Sequence, residues 1–187
     1  MPRGQKGGCR LFLKNFIRNK PKASVMETEH PFWQFSIDFY ANAEVEGGCL
    51  RLQEEAGGNV NLLLFSLWLA TQHRVFDHQQ VLANERLTYW HEQVVLPLRQ
   101  ARQAIKSTGE KECYEHAKQL ELQAERVEQG ILYELVPQFM LAPACRSMAQ
   151  LVQQNLTCYL QSLPLSARQV EVFEALFAEL LVVNYCK

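Results

Sequence analysis

The sequence predicts an all-α single domain, a bundle of six to seven helices built around one buried apolar helix. Three observations carry that prediction. Val60–Ala70 reads Val-Asn-Leu-Leu-Leu-Phe-Ser-Leu-Trp-Leu-Ala, with only Asn61 and Ser66 polar, and a helix apolar on every side has to be enclosed by other elements. Two long apolar stripes with helical spacing follow and are joined by a short polar turn, which predicts an antiparallel helical hairpin over about 78–136. No alternating strand pattern of useful length occurs anywhere in the chain. With 187 residues and 48% hydrophobic side chains, the chain is large enough for one well-filled core.

Pro31 opens the first helix, since proline suits the first helical position, where its missing amide hydrogen costs nothing. Phe32, Trp33, Phe35, Ile37, Phe39 and Tyr40 make that helix strongly aromatic. A second helix covers about 45–56, with Cys49, Leu50 and Leu52 inward and Arg51, Gln53, Glu54 and Glu55 outward. Gly57-Gly58 ends it. Asn59 is the expected N-cap of the central helix, which covers about 59–73. Its leucine dominance favours helix over strand. Gln72, His73 and Arg74 end the run well short of the ~20 apolar residues that a membrane span needs.

Asp77 is the expected N-cap of the first hairpin arm, whose stripe is Ala83, Leu87, Trp90, Val94, Leu98, Ala101 and Ile105. Pro97 lies within this arm and is expected to kink it or split it after Val94, because proline removes one backbone bond and clashes with the preceding turn. After Ser107-Thr108-Gly109, the second arm carries Cys113, Ala117, Leu120, Ala124, Val127, Ile131 and Leu135 as its stripe. Glu110, Glu115, Lys118, Glu121, Glu125 and Glu128 fall off it, and Pro137 closes it. Pro143 is expected to open a further helix to about Leu160. Ser166 and Gln169 fit a capping box for a last helix carrying Val170, Phe173, Leu176, Phe177 and Leu180.

The formal net charge of −1 conceals an asymmetry. Residues 1–25 hold Arg3, Lys6, Arg10, Lys14, Arg18, Lys20 and Lys22 and no acid, so the chain from Met26 onward carries about −8. An acidic body argues against a nucleic-acid partner, because phosphate contacts need clustered Lys and Arg. The basic segment 1–25 has three readings. It is either an unstructured extension, or sequence upstream of a true start at Met26, or a membrane-surface or targeting segment built on Arg10–Arg18. The domain itself is then 26–187. Six scattered cysteines form no C-x-x-C pair or zinc-type cluster, which points to reduced thiols in a cytoplasmic protein.

Chemistry-bearing patterns are sparse. Asp38 and Asp77 are the only aspartates, which excludes the clustered pairs of magnesium-dependent diphosphate enzymes. The one Glu-x-x-His match, Glu27 to His30, precedes the first helix, so a bridged di-metal bundle is not expected. No phosphate-binding glycine loop or nucleophile elbow is present. No metal, cofactor or catalytic residue is assigned. Two constellations remain. Arg99, Arg102 and Lys106 share one helical face, and Glu121 and Glu125 share one on the next arm, within reach across an antiparallel hairpin. Such a set is either an interhelical ion-pair ladder or a polar pocket for an anionic ligand. Trp90-His91-Glu92 is the other; adjacent helical residues point about 100° apart, so His91 and Glu92 do not pair through the helix. Asn61 sits among apolar residues and requires a hydrogen-bond partner, either an interhelical tie or a pocket group. Arg99, Arg102, Lys106, Glu121, Glu125, Asn61 and Trp90 are therefore the candidate ligand-binding residues.

Phe32–Ser36, Cys49–Gln53, Val60–Trp68, Pro97–Arg99 and Arg102 together resemble a proteobacterial family of uncharacterised helical proteins catalogued as a domain of unknown function. The resemblance runs from about Phe32 into the helix that begins near Pro143. It implies a bacterial, cytoplasmic origin and brings no activity, cofactor or catalytic residue. The leading functional expectation is a non-catalytic interaction or adaptor protein with a protein partner. The alternative is a helical pocket protein or enzyme that binds an anionic small molecule through Arg99 and Arg102.

Overall fold

A computed structural model describes residues 30–185, with side chains to Leu181. The basic segment 1–25, Met26, Glu27, Cys9 and Cys186 lie outside the described residues. The chain forms α1 (Pro31–Tyr40), α2 (Ala43–Ala56), α3 (Val60–Thr71), α4 (His78–Leu82), α5 (Glu85–Trp90), α6 (Leu96–Thr108), α7 (Lys111–Leu135), α8 (Met148–Leu160) and α9 (Ala167–Tyr185). It is an all-α domain. Among the described residues the sheet-like pairing is limited to an isolated bridge between Arg74 and Leu141. No described helix is long and apolar enough to cross a membrane.

α3 is the centre. Every residue from Asn61 to Ala70 is buried, with α8 packed along it and α1, α2 and α7 also against it. Asn59 caps it, its Oδ1 accepting from the amides of Asn61 at 2.8 Å and Leu62 at 3.3 Å. The helix stops where Gln72 turns out of line and His73 takes a left-handed φ of 52°. Aromatic side chains from three other segments meet on it: Phe32, Phe76 and Phe139 all lie within 6.5 Å of Phe65, ring centre to ring centre. Such edge-on pairs add to the area they bury. On the far side, Gly48 of α2 lets α9 approach, because a Cβ there would meet Leu176 at 2.6 Å.

The polar exception in this layer is Asn155 of α8, fully buried. Its Nδ2 donates to the carbonyls of Ser66 at 3.1 Å and Arg74 at 2.9 Å, and its Oδ1 accepts from the Phe76 amide at 2.9 Å. One side chain thereby satisfies the backbone where α3 gives way to the loop before α4.

Four expectations need adjustment. The first hairpin arm does not begin at 78. α4 is a single short helix, and Asn84 caps a new one, α5, through the Leu87 amide at 2.9 Å. Pro143 does not open α8. Residues 140–142 run extended against 73–75, through Val75 N to Met140 O at 2.9 Å and Ala142 N to His73 O at 2.8 Å, and Ser147 caps α8 with a capping box to Gln150. Leu50 faces outward rather than into the core. In the hairpin, the buried faces follow the apolar stripes only in part: Leu87, Ala124, Ile131 and Leu135 are buried, but Ala101, Cys113, Leu120 and Val127 are not.

That last point has a local cause. Between α5 and α6 the helix continues through a π turn, His91–Val95, with Leu96 N bonded to His91 O. The wider turn lies immediately before Pro97, which has no amide to donate and whose ring would crowd the carbonyl of an ordinary turn. It inserts one residue into the helical register. Downstream, Val95 and Arg99 are buried and Arg102 half-buried, whereas Ala101 is exposed. On α7 the buried face is Lys118, Glu121, Leu122, Ala124, Glu128, Gln129, Ile131, Leu132 and Leu135, while Cys113, Leu120 and Val127 are exposed.

Replacing Asn155 with leucine leaves Phe76 N and Arg74 O without their partner. The expected cost is about 2–4 kcal/mol, read as a lower urea midpoint with an unchanged m-value.

Candidate functional site

The hairpin closes on a charged seam. Arg99 on α6 donates from Nε to Glu121 Oε1 at 3.0 Å and from Nη2 to Glu125 Oε1 at 2.6 Å. Arg102, one turn on, donates from Nε to Glu121 Oε2 and from Nη2 to Glu121 Oε1 at 3.3 Å. The Gln53 amide oxygen, turned toward Arg99, accepts from Nη1 at 2.9 Å. Glu121 is 3% exposed and Arg99 9%. This is a buried ion-pair cluster in which both guanidinium groups are spent on carboxylates of the neighbouring helix. Lys106 lies outside it, exposed beyond the end of the seam.

A second polar group continues along α7. Glu128, 1% exposed, accepts at Oε1 from Asn59 Nδ2 at 3.0 Å and His91 Nδ1 at 2.7 Å, and at Oε2 from Asn61 Nδ2 at 2.5 Å. The contact with the carboxylate places the imidazole hydrogen on Nδ1. Asn61 Oδ1 accepts from Gln129 Nε2 at 2.8 Å, and Asn59 O accepts from the Tyr159 hydroxyl at 2.7 Å. Glu128 also lies at the N-terminal end of α3, where the helix dipole favours an anion. Trp90 Nε1 donates to Ala124 O at 2.9 Å. Trp90 thus ties the two arms together.

Asn61, Glu125, Gln53 and Gln129 also border a cavity of about 90 Å³, closed by Trp33, Ser36, Ile37, Tyr40, Val60, Leu64 and Leu122. Of the residues expected to form a site, Arg99, Arg102, Glu121 and Glu125 are brought together in the seam, and Asn61 and Glu125 reach the cavity. Trp90 and Lys106 do not line it. Glu128, His91, Asn59, Gln53 and Gln129 were not among the candidates. Glu128 and Gln129 do continue the Glu121, Glu125 spacing by helical steps, and that recurrence was the available signal. Among the described residues no group of three His, Cys, Asp or Glu side chains is arranged to hold a metal ion.

Among the groups in and near this region with shifted protonation, Glu125 and His30 are the two moved across the range between about pH 4 and 7. Burial pushes the Glu125 carboxyl up to about 7, against the opposing pull of Arg99. His30, stacked on Tyr133 with ring centres 4.5 Å apart, is held down at about 4 by burial and by the Arg126 charge. The folded state therefore keeps a proton on Glu125 that the unfolded chain releases above about pH 4.5, a contribution lost as pH rises through 7. It keeps His30 neutral where the unfolded imidazole takes a proton below about 6.5, a contribution gained as pH rises from about 4 to 6.5.

Two outcomes follow from this geometry. Glu121→Leu strands the Arg102 guanidinium, leaves Arg99 with the Glu125 carboxylate alone, and is expected to cost about 3–5 kcal/mol, whereas Lys106→Ala stays within about 0.5 kcal/mol, both read by urea denaturation. The opposed pH terms are expected to leave wild-type stability nearly flat between about pH 5 and 6.5. Glu125→Gln removes one of them, so the variant's urea midpoint rises across that window.

The family model described as "Protein of unknown function (DUF2390)" matches residues 31–132, from the start of α1 through most of α7. No curated protein and no solved structure matches the chain. With more than half of its length matched, including α3 and the charged seam, the chain belongs to the DUF2390 family.

Proposed function

We propose that the domain is a non-catalytic binding module, an adaptor that presents its helical hairpin to a partner protein. The supporting observation is that the hairpin buries a charged seam and leaves part of its apolar stripe exposed. Leu120 and Val127, seven residues apart on α7, are 53% and 40% exposed. Leu98 and Ile105, seven apart on α6, are not part of the hydrophobic core. Leu98 and Ile105 are half-buried, unlike the exposed Leu120 and Val127. The neighbouring outward positions Gln100, Ala101, Ala104, Gln119 and Gln123 carry no charge. A charge-poor apolar stripe of this kind suits an apolar face of a partner helix. The thiols of Cys113, Cys145 and Cys158, none of them in a disulfide, support a bacterial cytoplasmic setting, where thiols stay reduced.

The alternative, an anionic small molecule held by Arg99 and Arg102, has weaker support. Both guanidinium groups are already engaged by Glu121 and Glu125, so such a ligand competes with two preorganised carboxylates.

The test is affinity purification of the tagged protein from its native host after mild cross-linking, with identification of both proteins and metabolites. The expected result is a reproducible protein partner that is lost with Leu120→Glu/Val127→Glu, while each substitution changes stability by no more than about 0.5 kcal/mol. Absence of a reproducible partner, or equal capture by the double variant, defeats the reading. An anionic metabolite lost with Arg102→Ala favours the alternative.

A further inference from the structure

The cavity beside the seam has a chemical character that the adaptor reading does not use. Its volume of about 90 Å³ is several times the ~30 Å³ that one water occupies in the liquid. Trp33, Ile37, Val60, Leu64 and Leu122 make most of its wall apolar. Its one ionisable acid is Glu125, whose side chain is 22% exposed, and neither Arg99 nor Arg102 is among the lining residues.

The polar atoms around it are unequally satisfied. Ser36 Oγ already donates to Phe32 O at 2.9 Å. Asn61 spends its amide hydrogens on Glu128 and on Glu125 O, and its oxygen on Gln129. Gln129 is 3% exposed. Its Nε2 is used, but its Oε1 is buried with no hydrogen-bond partner. A buried acceptor left in this way costs free energy until a donor reaches it. Glu125 and Gln129 are four residues apart on one helix face and both line the cavity. What is missing is a group with at least two hydrogens to donate, a positive charge and a short apolar tail.

We infer that this cavity is a binding site for a short primary alkylammonium ion, held by the Glu125 carboxylate and Gln129 Oε1 within the apolar wall of Trp33, Leu64 and Leu122. The ammonium group supplies one donor to each acceptor, and its tail lies against the apolar wall. An anion is disfavoured, because the lining offers it no cation and places it beside Glu125. The charged groups facing Glu125 are Arg99 from α6, and Glu121 and Glu128 along α7; α1, α2 and α3 contribute none to the cavity lining. Because the ionised carboxylate is the binding form, affinity rises with pH through the Glu125 titration and levels off above it.

The full chain is titrated with propylammonium chloride, following the Trp33 indole and Gln129 side-chain amide signals by NMR. Sodium chloride at matched ionic strength and 1-propanol are the controls. The expected result is a saturable shift seen only with propylammonium, with affinity falling at least about tenfold in Glu125→Gln and again in Gln129→Met. Gln129→Met leaves the ion pairs in place, so it keeps the test decisive if Glu125→Gln unfolds. A response matched by sodium chloride, equal binding of 1-propanol, unchanged affinity in Gln129→Met, or no saturable shift (a cavity that holds water only) overturns the assignment. None of these outcomes depends on a partner at the hairpin's outer flank.

Discussion

The constraint that organises this domain is that a buried charge has to be paired. Glu121 sits between Arg99 and Arg102 with almost no exposure, and Arg99 bridges onward to Glu125. Taking several ions out of water costs several kcal/mol each, and only close geometry with further hydrogen bonds offsets it. The cluster therefore fixes the register of α6 on α7 more sharply than apolar contacts do, since an apolar stripe tolerates a small slide and an Arg–carboxylate fork does not. The π turn before Pro97 is what brings the arginines to that face. The backbone adjustment that accommodates one proline also sets the charge pattern of the interface.

The same logic applies at the start of α3. A helix with ten consecutive buried residues needs its free amides satisfied without water. Asn59 meets that need locally and also reaches Glu128, which in turn takes His91 and Asn61. The first turn of the most apolar helix is thus tied to both arms of the hairpin by a polar network with each carboxylate oxygen occupied. Tyr159 extends the tie to α8. Specific orientation, more than added stability, is what such a network contributes.

How much of this was legible in the sequence varies with the kind of signal. α3, its Asn59 cap, the Asp77 cap, the Ser166–Gln169 box and the paired hairpin follow from short-range patterns, because capping and solvent exclusion depend on near neighbours. The Arg99, Arg102, Glu121, Glu125 meeting was legible as a possibility, because i, i+3 and i, i+4 spacings survive in a helix whatever packs on it. The inward direction of these charges was not. The stripes Val94, Leu98, Ala101 and Leu120, Val127 look core-facing by periodicity, and a single inserted residue at His91–Val95 turns the first of them aside. Periodicity assumes one unbroken register, and Pro97 marked the place where that assumption fails without saying in which direction. Asn61 announced its need for a partner, but Glu128 is 67 residues away, and no local rule connects them.

Glu125 is where the two halves of the molecule meet. One of its oxygens takes the Arg99 guanidinium, while the side chain also borders the cavity between α1, α2, α3 and α7. Its carboxyl is pushed up to about 7, with burial the leading cause, despite the Arg99 pair. The seam is thus less than fully compensated at this end, and a further positive group or a proton stabilises it. Glu121, by contrast, is saturated by two arginines. On the alkylammonium proposal, occupancy of the cavity and the balance of charge along the hairpin draw on the same carboxylate.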